Sequence, residues 1–301
     1  MRHIRAKCGV QTEPSLLEST RVMIVATSVA ELRCALPEQA LCLVPTMGAL
    51  HRGHIALIHA ARELMAPQGC VAVSIFVNPT QFDRPDDLAA YPRPLDADLA
   101  ACRAAGVDLV FAPSAAEMYA TDHSVMVTEN RLSRLLCGAS RPGHFAGVCT
   151  VVLKLLLLTR AQSAIFGQKD FQQLAIIRRM VRDLNLPTDI ISHPTVREVD
   201  GLALSSRNAR LSTEQRADAP RLHRALLAAA ALLPLGERGA SPLVHAVRHH
   251  IAASPLLTID YIELVDASTL ERVATLRAPG ILAVAVFYDS VRLIDHITLQ
   301  P

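Results

Sequence analysis

Tryptophan is absent from the 301 residues, and aromatic side chains of all kinds make up only 4%. A core drawn from this chain, which is 51% hydrophobic, must therefore be built mainly from Leu, Val, Ile and Ala. Neither sign of charge is in excess, with 30 Lys and Arg against 28 Asp and Glu. A nucleic-acid binder carries a basic excess or stripe, and none is present. Paired cysteines are missing too: the seven are odd in number, scattered, and never spaced as C-x-x-C. Settings such as Leu41-Cys42-Leu43 and Val148-Cys149-Thr150 mark them as reduced core residues, not as disulfides or a zinc site. The longest apolar run, residues 151–158, is too short to span a bilayer and contains Lys154. Arg2, Arg5 and Lys7 precede no apolar stretch of the kind a secretion signal requires. The expectation is a cytoplasmic protein with no nucleic-acid or membrane partner.

The common nucleotide loops are also lacking. No G-x-x-x-x-G-K-[ST] or G-x-G-x-x-G occurs, and no nucleophile elbow or Ser-His-Asp pattern is evident. What is present is an alternation of short β-rich runs with helical patterns. Strands are expected at Leu41–Pro45, Cys70–Val77, Asp108–Ala112, Ser163–Gly167 and Thr188–His193. Helices are expected at His54–Met65, Leu95–Ala105, Gly147–Arg160, Asp170–Leu184 and Thr213–Leu233. This order predicts an α/β fold, a Rossmann-like parallel sheet with helices on both faces. A helix at Pro242–Ala253 and strands at Thr258–Val265, Ile281–Tyr288 and Val291–Thr298 then suit a small α+β C-terminal domain. The expected division is a disordered extension over 1–22 (or a start placed too early), a first domain over 23–207 and a smaller one over 208–301.

Polar clusters fall after four of the predicted strands, where open α/β sheets bind ligands. In PTMGALHRGH, residues 45–54, His51 and His54 stand three apart where a helix begins, a position that favours anions. Gly53 would let the backbone approach a ligand closely. Two surface histidines would look the same, and a zinc site lacks a third ligand at sensible spacing. SIFVNPTQF ends a strand in Asn78 and Gln81, amides that can read hydroxyls and carboxylates or simply stabilise an Asn-Pro turn. FGQKDFQQ offers Lys169 for phosphate, Asp170 as a helix cap or ribose ligand, and Gln173 on the same side. DGLALSSRN places two hydroxyls and the Arg207 guanidinium in one loop, a clamp suited to pyrophosphate or an ordinary polar loop. GASRPGHFAG adds Arg141 and His144.

These segments, with SIFVNPTQFDRPDDLAAYPR and FGQKDFQQLAIIRRMV read in full, resemble the pantothenate synthetase family in order, spacing and wording. The likeness runs from about Met23 to the C-terminus and is looser over the last hundred residues. It implies a ligase that condenses pantoate with β-alanine through a pantoyl adenylate, using ATP and Mg2+, in a cytoplasmic homodimer with a C-terminal lid. Carried over by position, Pro45, Met47, Gly48, His51 and His54 would line the ATP site, His54 being the catalytic histidine, with His51 and Lys169 beside it. Gly167, Gln168, Lys169, Asp170, Val196, Leu204, Ser205, Ser206 and Arg207 would complete that site. Gln81, Gln173 and Asn78 would hold pantoate and β-alanine, and Asp98 matches an acidic position associated with magnesium. Arg52 replaces a frequent acid, Gln168 a frequent Glu, and the N-terminal extension is unusual. Two other readings remain open: an adenylyltransferase acting on a phosphorylated precursor, and a non-catalytic binding module on the same fold.

Overall fold

The computed structural model describes residues 22–301. The expected extension over 1–22 therefore lies, apart from Val22, outside the described residues. Six strands form one parallel sheet: β1 (Ile24–Ala26), β2 (Leu41–Thr46), β3 (Cys70–Ile75), β4 (Leu109–Phe111), β5 (Ser163–Gly167) and β6 (Asp189–His193), in the order β1-β4-β3-β2-β5-β6. Successive strand residues point to opposite faces. Leu41 and Leu43 of β2 thus enter one apolar core, while Cys42 and Val44 enter another. Helices α1 (Val29–Ala35), α2 (Arg52–Leu64), α3 (Leu95–Ala104), α4 (His144–Thr159) and α5 (Phe171–Asp183) cover the two faces. Leu57, Ile58 and Ala61 of α2 and Cys102 of α3 bury against the face of Cys42 and Val44, and Val148 and Val152 of α4 and Ile177 of α5 against the other.

The sequence reading missed β1 and α1. A signal for α1 was present: Ser28 and Glu31 form a reciprocal capping box at its start. The single helix expected over Thr213–Leu233 is two, α6 (Thr213–Asp218) and α7 (Arg221–Ala230). Pro220 sits between them and has no N–H to continue the ladder. Helix α7, α8 (Ala240–Ala252) and the antiparallel strands β7 (Thr258–Asp266), β8 (Gly280–Tyr288) and β9 (Val291–Leu299) surround a second core that Leu202 joins. Of the cysteines described, five are buried; Cys34 is exposed, against the core reading.

Strand order fixes where a ligand can sit. From β2 the chain moves outward through β3, and it later returns to place β5 on the other side of β2. The loops leaving β2 and β5 therefore diverge, opening a crevice at the carboxyl ends of these strands.

Candidate active site

Both diverging loops reach that crevice. The loop after β2 contributes Pro45, Met47, His51 and His54 to its lining, and the one after β5 contributes Gly167, Lys169, Asp170 and Gln173. Asn78 and Gln81 line it from the end of β3, and Val196, Leu204, Ser205, Ser206 and Arg207 from the segment after β6. Of the residues expected at the ATP site, two stand apart. Gly48 lines a separate apolar cavity behind the loop, and Gln168 donates to the Ser192 hydroxyl at 3.3 Å.

His51 and His54 cap the helix they begin. His51 Nδ1 accepts from the Gly53 N–H at 3.1 Å, and His54 Nδ1 accepts from the His51 N–H at 3.3 Å. Gly53 is required by this arrangement itself: a Cβ there would come within 2.9 Å of the His51 ring. The rings stack, centroids 4.0 Å apart. An imidazole nitrogen that accepts carries no proton, so each neutral ring holds its hydrogen on Nε2. Burial and then the Lys169 charge pull the His51 pKa down to about 4. Burial and then His51 pull that of His54 down to about 3. Near neutral pH the crevice thus presents two neutral Nε2–H donors.

Lys169 Nζ stands 3.7 Å from the Asp170 carboxylate. Asp170 occupies the N-cap position of α5 but makes no side-chain cap bond, so the capping role weighed from sequence is not the one it plays. Burial raises its pKa, and Lys169 and Arg207 outweigh that, leaving it below the usual carboxylate range. Arg207 donates to Asp87 at 2.9 Å, and Arg210 grips the other oxygen of that carboxylate. Tyr91 meets the Ser206 hydroxyl at 3.1 Å. Neither Asp87 nor Tyr91 was singled out from sequence, although both lie in a quoted block.

Amides line the opposite wall, and they differ in how far the protein already uses them. Asn78 is spent internally. Its Oδ1 accepts from Tyr119 at 2.8 Å and Thr80 Oγ1 at 2.9 Å, while Nδ2 donates to Gln81 Oε1 and the Gly147 carbonyl, both at 3.1 Å. It lines the crevice, as a residue expected to meet substrate would, and its hold on Oε1 also braces Gln81. Gln172 is likewise consumed, by Leu132, Leu135 and Cys137. Its neighbour Gln173 makes no side-chain hydrogen bond among the described residues and faces the crevice. Between these amides, Val148, Val151, Val152 and Leu155 of α4 line an apolar strip. Their i, i+3, i+4, i+7 spacing was legible, but the reading gave the stretch a helix and assigned none of these residues to the site.

Asp98, matched to a magnesium-associated position, is placed elsewhere. It is buried, and its two oxygens accept the Ala49 and Leu50 N–H groups at 2.8 and 2.7 Å. Among the described residues no three His, Cys, Asp or Glu side chains gather as a metal site.

This arrangement has close relatives. A pantothenate synthetase of Akkermansia muciniphila is 50% identical over 275 residues, covering 90% of this chain and 98% of that protein. One from Moorella thermoacetica is 50% identical over 258 residues, 86% of this chain and 90% of that one. The crystal structure of pantothenate synthetase from Thermus thermophilus superposes with a TM-score of 0.88 at 46% identity, covering 93% of this chain and all of that one. That of pantoate-beta-alanine ligase from Francisella tularensis, complexed with beta-gamma ATP and beta-alanine, gives 0.74 at 33% identity, covering 92% and 97%. Residues 20–298 match the family model described as Pantoate-beta-alanine ligase, so the chain belongs to that family and is an enzyme of the ligase kind.

Proposed function

We infer that this ligase, which joins pantoate to β-alanine, does so in two steps within the crevice at the β2–β5 divergence. The observation that carries the inference is the make-up of that crevice. Unspent donors and cations of a kind that holds phosphate face amides and an apolar strip of a kind that holds a branched hydroxy acid.

A carboxylate is a poor electrophile, and an amine does not displace oxide from it. In the first step the pantoate carboxylate oxygen bonds to the α-phosphorus of ATP as the bond to the pyrophosphate oxygen breaks. The charge gathering on the phosphates would meet the Nε2–H groups of His51 and His54, Lys169, and Arg207 held by Asp87. In the second step the β-alanine nitrogen bonds to the acyl carbon, the bond to AMP breaks, and the amine proton is lost. Closing both partners into one space supplies proximity and keeps water from the mixed anhydride. Magnesium would enter with the nucleotide phosphates, because Asp98 is engaged elsewhere and no other preformed cage is found among the described residues.

Two measurements bear on this. Exchange of labelled pyrophosphate into ATP should need pantoate and magnesium but not β-alanine; exchange appearing only with β-alanine would refute the separate first step. Gln173→Leu should weaken apparent pantoate affinity by roughly 1–3 kcal/mol, because a substrate hydroxyl or carboxylate loses its partner. ATP binding measured without pantoate should stay unchanged in that variant, and an equal loss there would assign Gln173 to the nucleotide side. No helix among the described residues is long and apolar enough to cross a membrane. A cytoplasmic homodimer with a lid over residues 208–301 is the assembly that the family likeness supports.

A further inference from the structure

Strand β9 alternates, and one residue breaks its alternation. Val291, Leu293 and Leu299 are buried in the second core and Ile297 packs against it, so every other side chain faces inward. Asp295 falls on that same face, buried and opposite Val284 of β8. A carboxylate at an apolar position costs desolvation, and a buried ion pair stabilises a fold no better than well-packed apolar residues do. What it holds accounts for its place. Oδ2 accepts from Arg197 Nη1 at 2.7 Å and Oδ1 from Arg197 Nη2 at 2.8 Å, a bidentate fork. Oδ1 also accepts from the His296 N–H at 2.8 Å. His223 Nδ1 stands 3.9 Å from Oδ2 and makes no hydrogen bond. Burial and then the Arg197 charge keep the His223 pKa below its usual value, so it is no rival cation near neutral pH.

Arg197 lies on the segment that follows β6. Its Nη1 also donates to the Gly201 carbonyl at 3.1 Å, across a tight hairpin. There Arg197 pairs with Ala203, and the Leu204 N–H donates to the Val196 carbonyl at 3.0 Å. The Ala203 carbonyl accepts from Asn208 Nδ2 at 3.0 Å, which ties the hairpin to the short turn over Ser206–Arg210. Val196, Leu204, Ser205, Ser206 and Arg207 line the crevice, while Leu202 sits in the second core. The hairpin's other ion pairs, Arg52 with Glu198 and Arg216 with Asp200, are more exposed and hold it weakly. We propose that Asp295 is a positioning residue for the nucleotide: through Arg197 it fixes the hairpin that carries Val196 and the Ser205-Ser206-Arg207 run into the crevice. The role rests on the ligase reading above, in which Arg207 meets the phosphates. Asp87 orients the Arg207 side chain; Asp295 places its backbone. The second domain thus acts in the adenylation step without touching ATP through this residue.

The test uses the intact enzyme. Asp295→Asn keeps the shape but turns a donor toward one Arg197 nitrogen. In that variant the Kd for ATP, measured without pantoate, should rise roughly tenfold, and exchange at saturating ATP should fall by up to about a hundredfold, the scale of a misplaced group. KM for pantoate and for β-alanine should stay near wild type. The double variant Arg197→Met with Asp295→Leu separates positioning from stability. Its apolar pair should restore the melting temperature to near wild type, yet the ATP defect should persist, because the fork that aims the hairpin is gone. Should Asp295→Asn prove unfolded, the double variant decides alone. Unchanged ATP affinity in Asp295→Asn would overturn the assignment. So would wild-type ATP affinity in the apolar double variant, or a loss of affinity for all three substrates that tracks melting temperature. Arg207→Gln monitors the reading beneath: wild-type ATP affinity there would show that the crevice, and not only the hairpin, was misassigned to the nucleotide.

Discussion

Replacing His54 by alanine is expected to slow pantoate-dependent pyrophosphate exchange by about 100-fold or more, the usual effect of removing one preorganised donor. The ring does two jobs through two atoms, and they can be separated. Nδ1 accepts the His51 N–H and helps to cap α2; Nε2 is left to donate into the crevice. Losing the first costs on the order of 1 kcal/mol of stability, as cap deletions do. Losing the second removes a donor that strengthens only as charge builds in the transition state. Asparagine places an oxygen where Nδ1 stands, and glutamine places an amide nitrogen where Nε2 stands. His54→Asn should therefore recover melting temperature but not rate, and His54→Gln should recover part of the rate. A His54→Asn variant with the wild-type exchange rate would reduce the residue to a helix cap.

The same tautomers predict a pH response. Both folded pKa values lie below the ordinary 6.5, at about 4 for His51 and about 3 for His54, so the unfolded chain binds protons first as pH falls. Stability should decline from about pH 6.5 downward, with the histidine contribution fully lost only below the folded values. Protonation would also place a hydrogen on Nδ1 and set it against the N–H it now accepts. The adenylation rate should therefore show no histidine titration between pH 6 and 8, which a pH–rate profile of the exchange reaction checks.

How much of this could be read before the fold was known depends on the question asked. The loops were legible: polar clusters after Pro45, Val77, Gly167 and His193 follow from strand patterning, and the strand order brings them to one crevice. Residue types were legible as well. Saturation was not. Nothing in the order Asn78, Gln81, Gln172, Gln173 says that Asn78 and Gln172 are consumed by the protein, because their partners Tyr119, Gly147, Leu132 and Cys137 lie far along the chain. Asp87 escaped notice for a related reason. It looks like one acid in an acidic turn until Arg207 and Arg210, more than a hundred residues away, close on it. The cap role weighed for Asp170 is revised by a missing bond, and the crowding of Gly53 against the His51 ring could not be read from the sequence.

Asp98 is where the two kinds of reading diverge furthest, and Asp98→Ala should be among the most damaging substitutions outside the crevice. The turn after β2 holds two consecutive left-handed residues, Gly48 at φ 78° and Ala49 at φ 51°. Ala49 tolerates that region poorly because of its Cβ, so the turn needs an outside restraint. The buried carboxylate supplies it, one oxygen to each of the Ala49 and Leu50 N–H groups. A Cβ on Gly48 would come within 2.9 Å of the same carboxylate, so the two positions are built around each other. Successive N–H groups in such a turn form a nest for an anion, and here the anion belongs to the protein. Removing it leaves two enclosed donors unpaired, at about 1–3 kcal/mol each, and frees a strained turn that ends at His51. Urea denaturation of Asp98→Ala should thus show a loss of about 2–6 kcal/mol, and exchange activity should fall because His51 and His54 are no longer fixed. Asp98→Asn should recover little, since its amide can accept from one N–H but turns a donor toward the other. A magnesium ligand would behave differently: stability would change little, and raising magnesium would restore the rate. Rescue of Asp98→Ala by magnesium at wild-type stability would return the residue to the metal and leave the turn without its explanation.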